Sequence, residues 1–278
     1  MSFKTLLTVT SAGQGEGDLK VAASLCQEIN AHLSVLVLVL AAPPAGSDYG
    51  AVVSPAWLEE RQAEMDTLEK RTAAVSRLMS DGAISADVSN DYPDTIWAAE
   101  IIGRRARYAD LTVIGPELLK THTLKSKVAE GCLFWSGKPI LLIPEGAHAT
   151  LRPKRVVVAW DASLEASRAV RESLDVLAGA GEVRVVMVDP IEGERHHGEE
   201  PGADVATYLA RYGVKVIVDR LPSSHHPIAY VIRQHAVDVG AELIVMGAYG
   251  HSRLRERIFG GVTRSMIEEP RLPVLMAR

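Results

Sequence analysis

The sequence predicts an α/β protein built as two tandem doubly wound domains, each a five-stranded parallel sheet with helices on both faces. Three observations carry this. Short apolar runs alternate with helical patterns along the chain. The run of elements occurs twice. Near the end of the second copy, a strand passes through a glycine-spaced loop into a helix. Alternation of this kind buries a parallel sheet between helical layers. One reversal of strand order then opens a crevice at the carboxyl ends of the strands.

In the second copy the strands are predicted near 154–160, 182–188, 214–219, 242–246 and 273–277, and the helices near 163–179, 201–212, 226–239 and 261–269. Glu242-Leu243-Ile244-Val245-Met246 is typical of the strands: apolar, partly β-branched and bounded by turn residues. Val262 to Ile267 has helical spacing, stopped by Pro270. The first copy aligns with it. Lys4–Ser11 matches Lys154–Asp161, and Ala31–Leu38 matches Gly181–Val188, at one constant offset. Asp110–Gly115 matches Glu242–Gly247, and Lys138–Ile143 matches Leu272–Ala277, at a smaller offset. The first copy therefore holds extra residues, placed in Pro43–Met79, with a long charged helix from about Pro55. Domains of 1–146 and 152–278 follow, joined by the Pro-containing stretch Glu145–Pro153. The apolar edges Ile140–Ile143 and Val274–Ala277 invite pairing with each other.

Composition narrows the function. The chain has 278 residues, 47% hydrophobic and 23% charged, with a net charge of −5. That is an ordinary globular balance, with no basic excess to suggest a nucleic-acid partner. The longest apolar run, Val35 to Pro44, is too short to span a bilayer, and nothing near Met1 resembles a signal peptide. Cys26 and Cys132 read as buried free thiols of a reducing cytoplasm. The pairs His196-His197 and His225-His226 read as surface loops rather than metal ligands. The tryptophans Trp57, Trp97 and Trp135 read as core or interface, and Trp160 stands at the crevice mouth.

The most telling segment is Gly247-Ala248-Tyr249-Gly250, followed by His251, Arg253, Arg255, Arg257 and Gly260-Gly261-Val262. Glycines let the backbone approach an anion, and free N–H groups at a helix start favour negative charge. Asp161 closes the first strand of the same copy, opposite this loop. Asp161 reads equally as a ligand contact or a helix cap, while Ser163 reads mainly as the cap of the helix behind it. The arginines alternate, so they cannot all face one ligand; Arg253 is the candidate for a phosphate contact.

The pattern G-x2-G-x9-G, with Val156–Ser163 before it and Leu272–Met276 after it, resembles the nucleotide loop of the universal stress protein family. The resemblance covers about Lys154 to Arg278. It implies a strand order 3-2-1-4-5 and an adenine nucleotide, ATP or ADP, accompanied by Mg²⁺. It implies contacts from Asp161 and main-chain groups near Val188 at the nucleoside end, where Trp160 is a candidate by its place just before Asp161. Gly247, Gly250, Gly260, Gly261 and Val262 would hold the phosphates. One position departs from the family: its ATP-binding members usually have Ser or Thr where this chain has Gly261. The next hydroxyl is Thr263.

The first copy looks disabled. Ser11 stands in the place of Asp161, and Gly115 is followed by Pro116-Glu117, which removes a donor and adds a negative charge. Ser11–Gly17 reads as a flexible loop before the first helix. The expected function is a stress-response regulator that binds nucleotide in its second domain, forms a homodimer and acts on an unidentified protein partner. The alternative is a scaffold of the same fold without nucleotide. A slow adenine-nucleotide hydrolase is the enzyme reading, weakened by the absence of a Walker lysine, a G-x-S-x-G elbow or any other catalytic set.

Overall fold

The computed structural model describes residues 3–43, 46–47, 50–51, 54–82, 84–190, 200–249 and 261–278. Its chain divides into two compact units, Phe3–Ser136 and Gly137–Arg278.

The first unit contains β1 (Thr5–Ser11), α1 (Gly17–Ile29), β2 (His32–Leu38), the two-residue strands β3 (Gly46–Ser47) and β4 (Gly50–Ala51), and α2 (Pro55–Ser80). It continues through β5 (Ala86–Asp91), α3 (Ala98–Ala106), β6 (Leu111–Ile114), α4 (Pro116–Leu119), α5 (His122–Glu130) and a π-helical turn, Gly131–Ser136. Its main strands run parallel in the order β5-β2-β1-β6. Five successive residues of β1, Leu6 to Thr10, are almost wholly buried. A strand covered on both faces needs such an unbroken run rather than alternation. The predicted long helix from Pro55 is α2. Ser54 caps it by accepting from Trp57 N at 3.1 Å, and Pro55 at its first position lacks a donor that would be orphaned there anyway.

The second unit contains β7 (Ile140–Leu142), β8 (Arg155–Ala159), α6 (Leu164–Glu172), α7 (Leu174–Gly179), β9 (Glu182–Val188), α8 (Ala203–Ala210), β10 (Val216–Leu221), α9 (Ile228–Asp238), β11 (Leu243–Gly247), α10 (Gly261–Glu268) and β12 (Val274–Ala277). The order is β10-β9-β8-β11-β12-β7, and the first five strands are parallel. In this copy's own numbering that is 3-2-1-4-5. Strand β7 pairs antiparallel with β12, with Ile140 opposite Met276 and Leu142 opposite Val274. The two apolar edges thus satisfy each other's backbone groups, and β7 groups with the second unit. The unit boundary therefore falls ahead of the linker read from the repeat.

Three local features differ from the sequence reading. The helix expected over 163–179 breaks at buried Ser173, whose hydroxyl bonds back to Ala169 O at 2.7 Å and loosens the helical ladder there. The π-helical turn at 131–136 was not expected. It seats Gly131 and Gly103 where a Cβ would meet backbone of the facing segment, at Ala99 O 2.5 Å and Gly131 O 2.7 Å. No tryptophan lies in the buried core: Trp97 and Trp135 are exposed, and Trp57 is half-buried against the Arg61 guanidinium at 4.8 Å. Among the described residues no helix is long and apolar enough to cross a membrane.

Candidate functional site

The site is the switch point of the second unit. Strand β8 lies between β9 and β11. The chain leaves β8 toward one side and returns to β11 on the other, so the strand ends diverge into a crevice. A cavity of ≈ 230 Å³ occupies it. Trp160 and Asp161 reach it from the end of β8, Val188 from β9, Gly247 from β11, and Gly261 and Val262 from the first turn of α10. Six residues singled out from sequence are therefore brought to one cavity. Gly250, Arg253 and Gly260, with His251, Arg255, Arg257 and the pair His196-His197, lie outside the described residues.

Each wall has a local cause. Trp160 continues the ladder beyond β8 by donating its backbone N–H to Val186 O at 2.9 Å, which holds its backbone at the rim. Ser163 is the N-cap of α6 and accepts from Ala166 N at 3.1 Å. Exposed Asp161 accepts from Ser163 N at 3.1 Å through Oδ1, so it braces the same turn from the crevice side. Gly247 is glycine for a reason the sequence did not reveal. A Cβ there would lie 2.5 Å from Ala166 N and 2.6 Å from Glu165 C, so the missing side chain lets α6 pack on the end of β11. Gly261 is the opposite case: a Cβ would meet nothing within 4 Å.

Sequence reasoning missed the apolar walls. Ile228 and Ile232 present one face of α9 to the cavity, and Val186, Met187 and Met246 line it from the strands. Spacing of i, i+4 on α9 was the available signal, but it equally marks a core face. Among the described lining residues, Asp161 is charged and none is cationic. Apolar walls with few polar groups fit a heterocyclic base. The first turn of α10 lines the cavity at Gly261, Val262 and Thr263, and the N–H groups of a helix start favour an anion. The described lining residues are of the chemistry that fits a nucleoside phosphate.

Backbone strain marks the same place. Among the described residues, six that are not glycine have positive φ. Five of them cluster at this end of the second unit: Ala162 (58°), Asp189 (48°), Ser224 (48°), His225 (69°) and Tyr249 (68°). They follow β8, β9, β10 and β11 in turn. Left-handed conformation costs a residue with a Cβ about 1–2 kcal/mol, and such residues gather at functional sites. Asp189 accepts from Ser223 N at 2.9 Å, and the Ser223 hydroxyl and N–H hold its carboxyl below the usual carboxylate range. His226 stacks on Tyr230 with ring centroids 4.9 Å apart.

The corresponding place in the first unit is filled from within. Asp18, 2% exposed, accepts from Glu117 N and Leu118 N, both at 2.8 Å, at the start of α4. Glu117 in return accepts from Gly17 N at 3.0 Å, at the start of α1. Gly115 has no space for a Cβ because Asp18 Cγ lies 2.4 Å from where it would stand. Burial pushes the Asp18 carboxyl above its ordinary value, against the two backbone donors that lower it. The loop before α1, read from sequence as flexible, is tied at three points. Ser11 N donates to Gln14 Oε1 at 2.6 Å, Arg71 Nη2 to Gly15 O at 2.5 Å, and Gly17 N to Glu117 as described.

The model of the universal stress protein family matches residues 153–278. A universal stress protein from Archaeoglobus fulgidus is similar in structure over 98% of this chain and 96% of its own, with TM-score 0.68 and 17% sequence identity. A protein of unknown function from Pseudomonas aeruginosa is similar over 99% of this chain and 92% of its own, with TM-score 0.57 and 15% identity. At these identities the likeness is one of fold. No curated protein matches the sequence.

Proposed function

Because residues 153–278 are a domain of the universal stress protein family, which supports a stress-response protein, we propose that the chain is a regulator binding ATP or ADP in its second unit. The observation that carries this is the convergence of Trp160, Asp161, Val188, Gly247, Gly261 and Val262 on one cavity at the switch point. The base lies against Ile228 and Ile232, Asp161 faces the ribose, and the amides of Gly261 and Val262 meet the phosphates, with Mg²⁺ accompanying them. Arg253 and the glycines Gly250 and Gly260 belong to the phosphate end by their place in the motif. Turnover is slow or absent, because among the described lining residues the phosphate end offers backbone donors but no base. The regulator works as a homodimer in the cytoplasm and signals through a protein partner.

A second reading, a scaffold that needs no nucleotide, is favoured by Gly261 in the hydroxyl position and by the lack of a cation among the described lining residues. Mass spectrometry of ligand released from purified protein, followed by calorimetry with MgATP, separates the two. Adenine nucleotide recovered at close to one per chain supports the first reading. An empty protein that also gives no heat with MgATP supports the second.

A further inference from the structure

We propose that the Thr263 hydroxyl is a positioning group that sets the phosphate end of the crevice by clasping Tyr249 to the first turn of α10. The inference rests on the nucleotide reading above. Its basis is the way hydrogen bonding is handed over where β11 ends. Ala248 N still donates to a strand neighbour, Ala277 O, at 2.8 Å. At the next residue the side chain of Thr263 takes over: Tyr249 N donates to Thr263 Oγ1 at 3.1 Å.

Both residues are almost wholly buried, Tyr249 at 6% and Thr263 at 4% exposure, and both line the cavity. Tyr249 holds φ of 68°, a conformation that a tyrosine adopts only when its surroundings impose it. A buried N–H without an acceptor is costly, so the Thr263 oxygen both satisfies Tyr249 and holds it in that conformation. One hydrogen bond thereby joins the exit of β11 to the start of α10, the two elements whose backbone groups face the phosphates. In this chain Gly261 has no hydroxyl to offer an anion. The hydroxyl of the first turn instead positions the backbone, and the backbone is left to bind.

The test uses the full chain and two probes, MgATP and adenosine, which shares the base and ribose but lacks phosphate. Thr263→Val keeps the shape and removes the acceptor, while Thr263→Ser keeps the acceptor. Loss of this hydrogen bond is expected to weaken MgATP binding about tenfold in the valine variant. Adenosine affinity should stay within about twofold, and the serine variant should match wild type for both probes. Should the valine variant not fold, Thr263→Ala removes the acceptor without adding a methyl group beside Tyr249 and must show the same selective loss. Equal losses for MgATP and adenosine, or an unchanged MgATP affinity, would overturn the positioning role. Wild-type protein that binds neither probe would overturn the nucleotide reading, and this inference with it.

Discussion

Replacing Gly247 by alanine tests whether this glycine serves packing between secondary elements. The added Cβ would lie 2.5 Å from Ala166 N and 2.6 Å from Glu165 C, and both are backbone atoms of α6. Backbone cannot rotate away as a side-chain tip can. The first turn of α6 must therefore withdraw by close to an ångström to restore ordinary contact. That movement strains the Ser163 cap on Ala166 N, now 3.1 Å long. Overpacking costs about 1–3 kcal/mol, and loss of an N-cap about 1 kcal/mol. The lower freedom of alanine in the unfolded chain returns about 0.4–1 kcal/mol. The net expectation is a loss of about 1–3.5 kcal/mol, read by urea unfolding. Gly261→Ala is the control from the same motif, since its Cβ meets nothing within 4 Å. It should be neutral or stabilising by up to about 1 kcal/mol. If the two variants shift stability alike, or Gly247→Ala stays within about 0.5 kcal/mol of wild type, the packing argument is wrong.

Asp18 binds a proton more readily in the folded than in the unfolded chain, since burial raises its carboxyl above 3.8. Its contribution is therefore full below that value and is lost as pH rises through the folded value. The pH slope of urea stability above pH 4 should be altered in Asp18→Asn, with the wild type losing relatively more stability as pH rises; an identical slope in the two proteins would refute this. The thiols of Cys26 and Cys132 are buried and pushed up to about 12. A disulfide reagent at pH 8 should label native protein far more slowly than protein unfolded in guanidinium, and rapid native labelling would count against the burial. Turnover of MgATP should fall well below the roughly 1 s⁻¹ at the low end of typical enzymes. A faster rate, abolished by Asp161→Ala, would reinstate the hydrolase.

What could be read from the sequence was local. Strands such as Leu243–Gly247 announce themselves because both faces are buried and the apolar run is unbroken. The repeat follows from matching such runs. Asp161, Gly247, Gly261 and Val262, which line one cavity, could be singled out because turns from strand to helix are written in short runs of sequence. Ile228 and Ile232 were missed because a cavity wall and a core face demand the same side chains. The left-handed residues Ala162, Ser224, His225 and Tyr249 gave no sign, since none is the glycine or asparagine that usually marks such a conformation. The role of Asp18 was hidden by distance along the chain: the amides it occupies belong to Glu117 and Leu118. In the fold, its carboxyl takes both of these amides at the start of α4.

That carboxylate is in effect a tethered ligand. A group held on the same chain acts at a high effective concentration and is not diluted when metabolite levels fall. A free anion therefore has no purchase on the amides of Glu117 and Leu118, which are already occupied by a partner that cannot diffuse away. In the nucleotide reading, stabilisation by RT ln(1 + [L]/Kd) is available to the second unit alone. The duplicated fold would then carry one adjustable input beside one permanently set reference, and its dose–response to nucleotide within a single chain would be hyperbolic rather than cooperative.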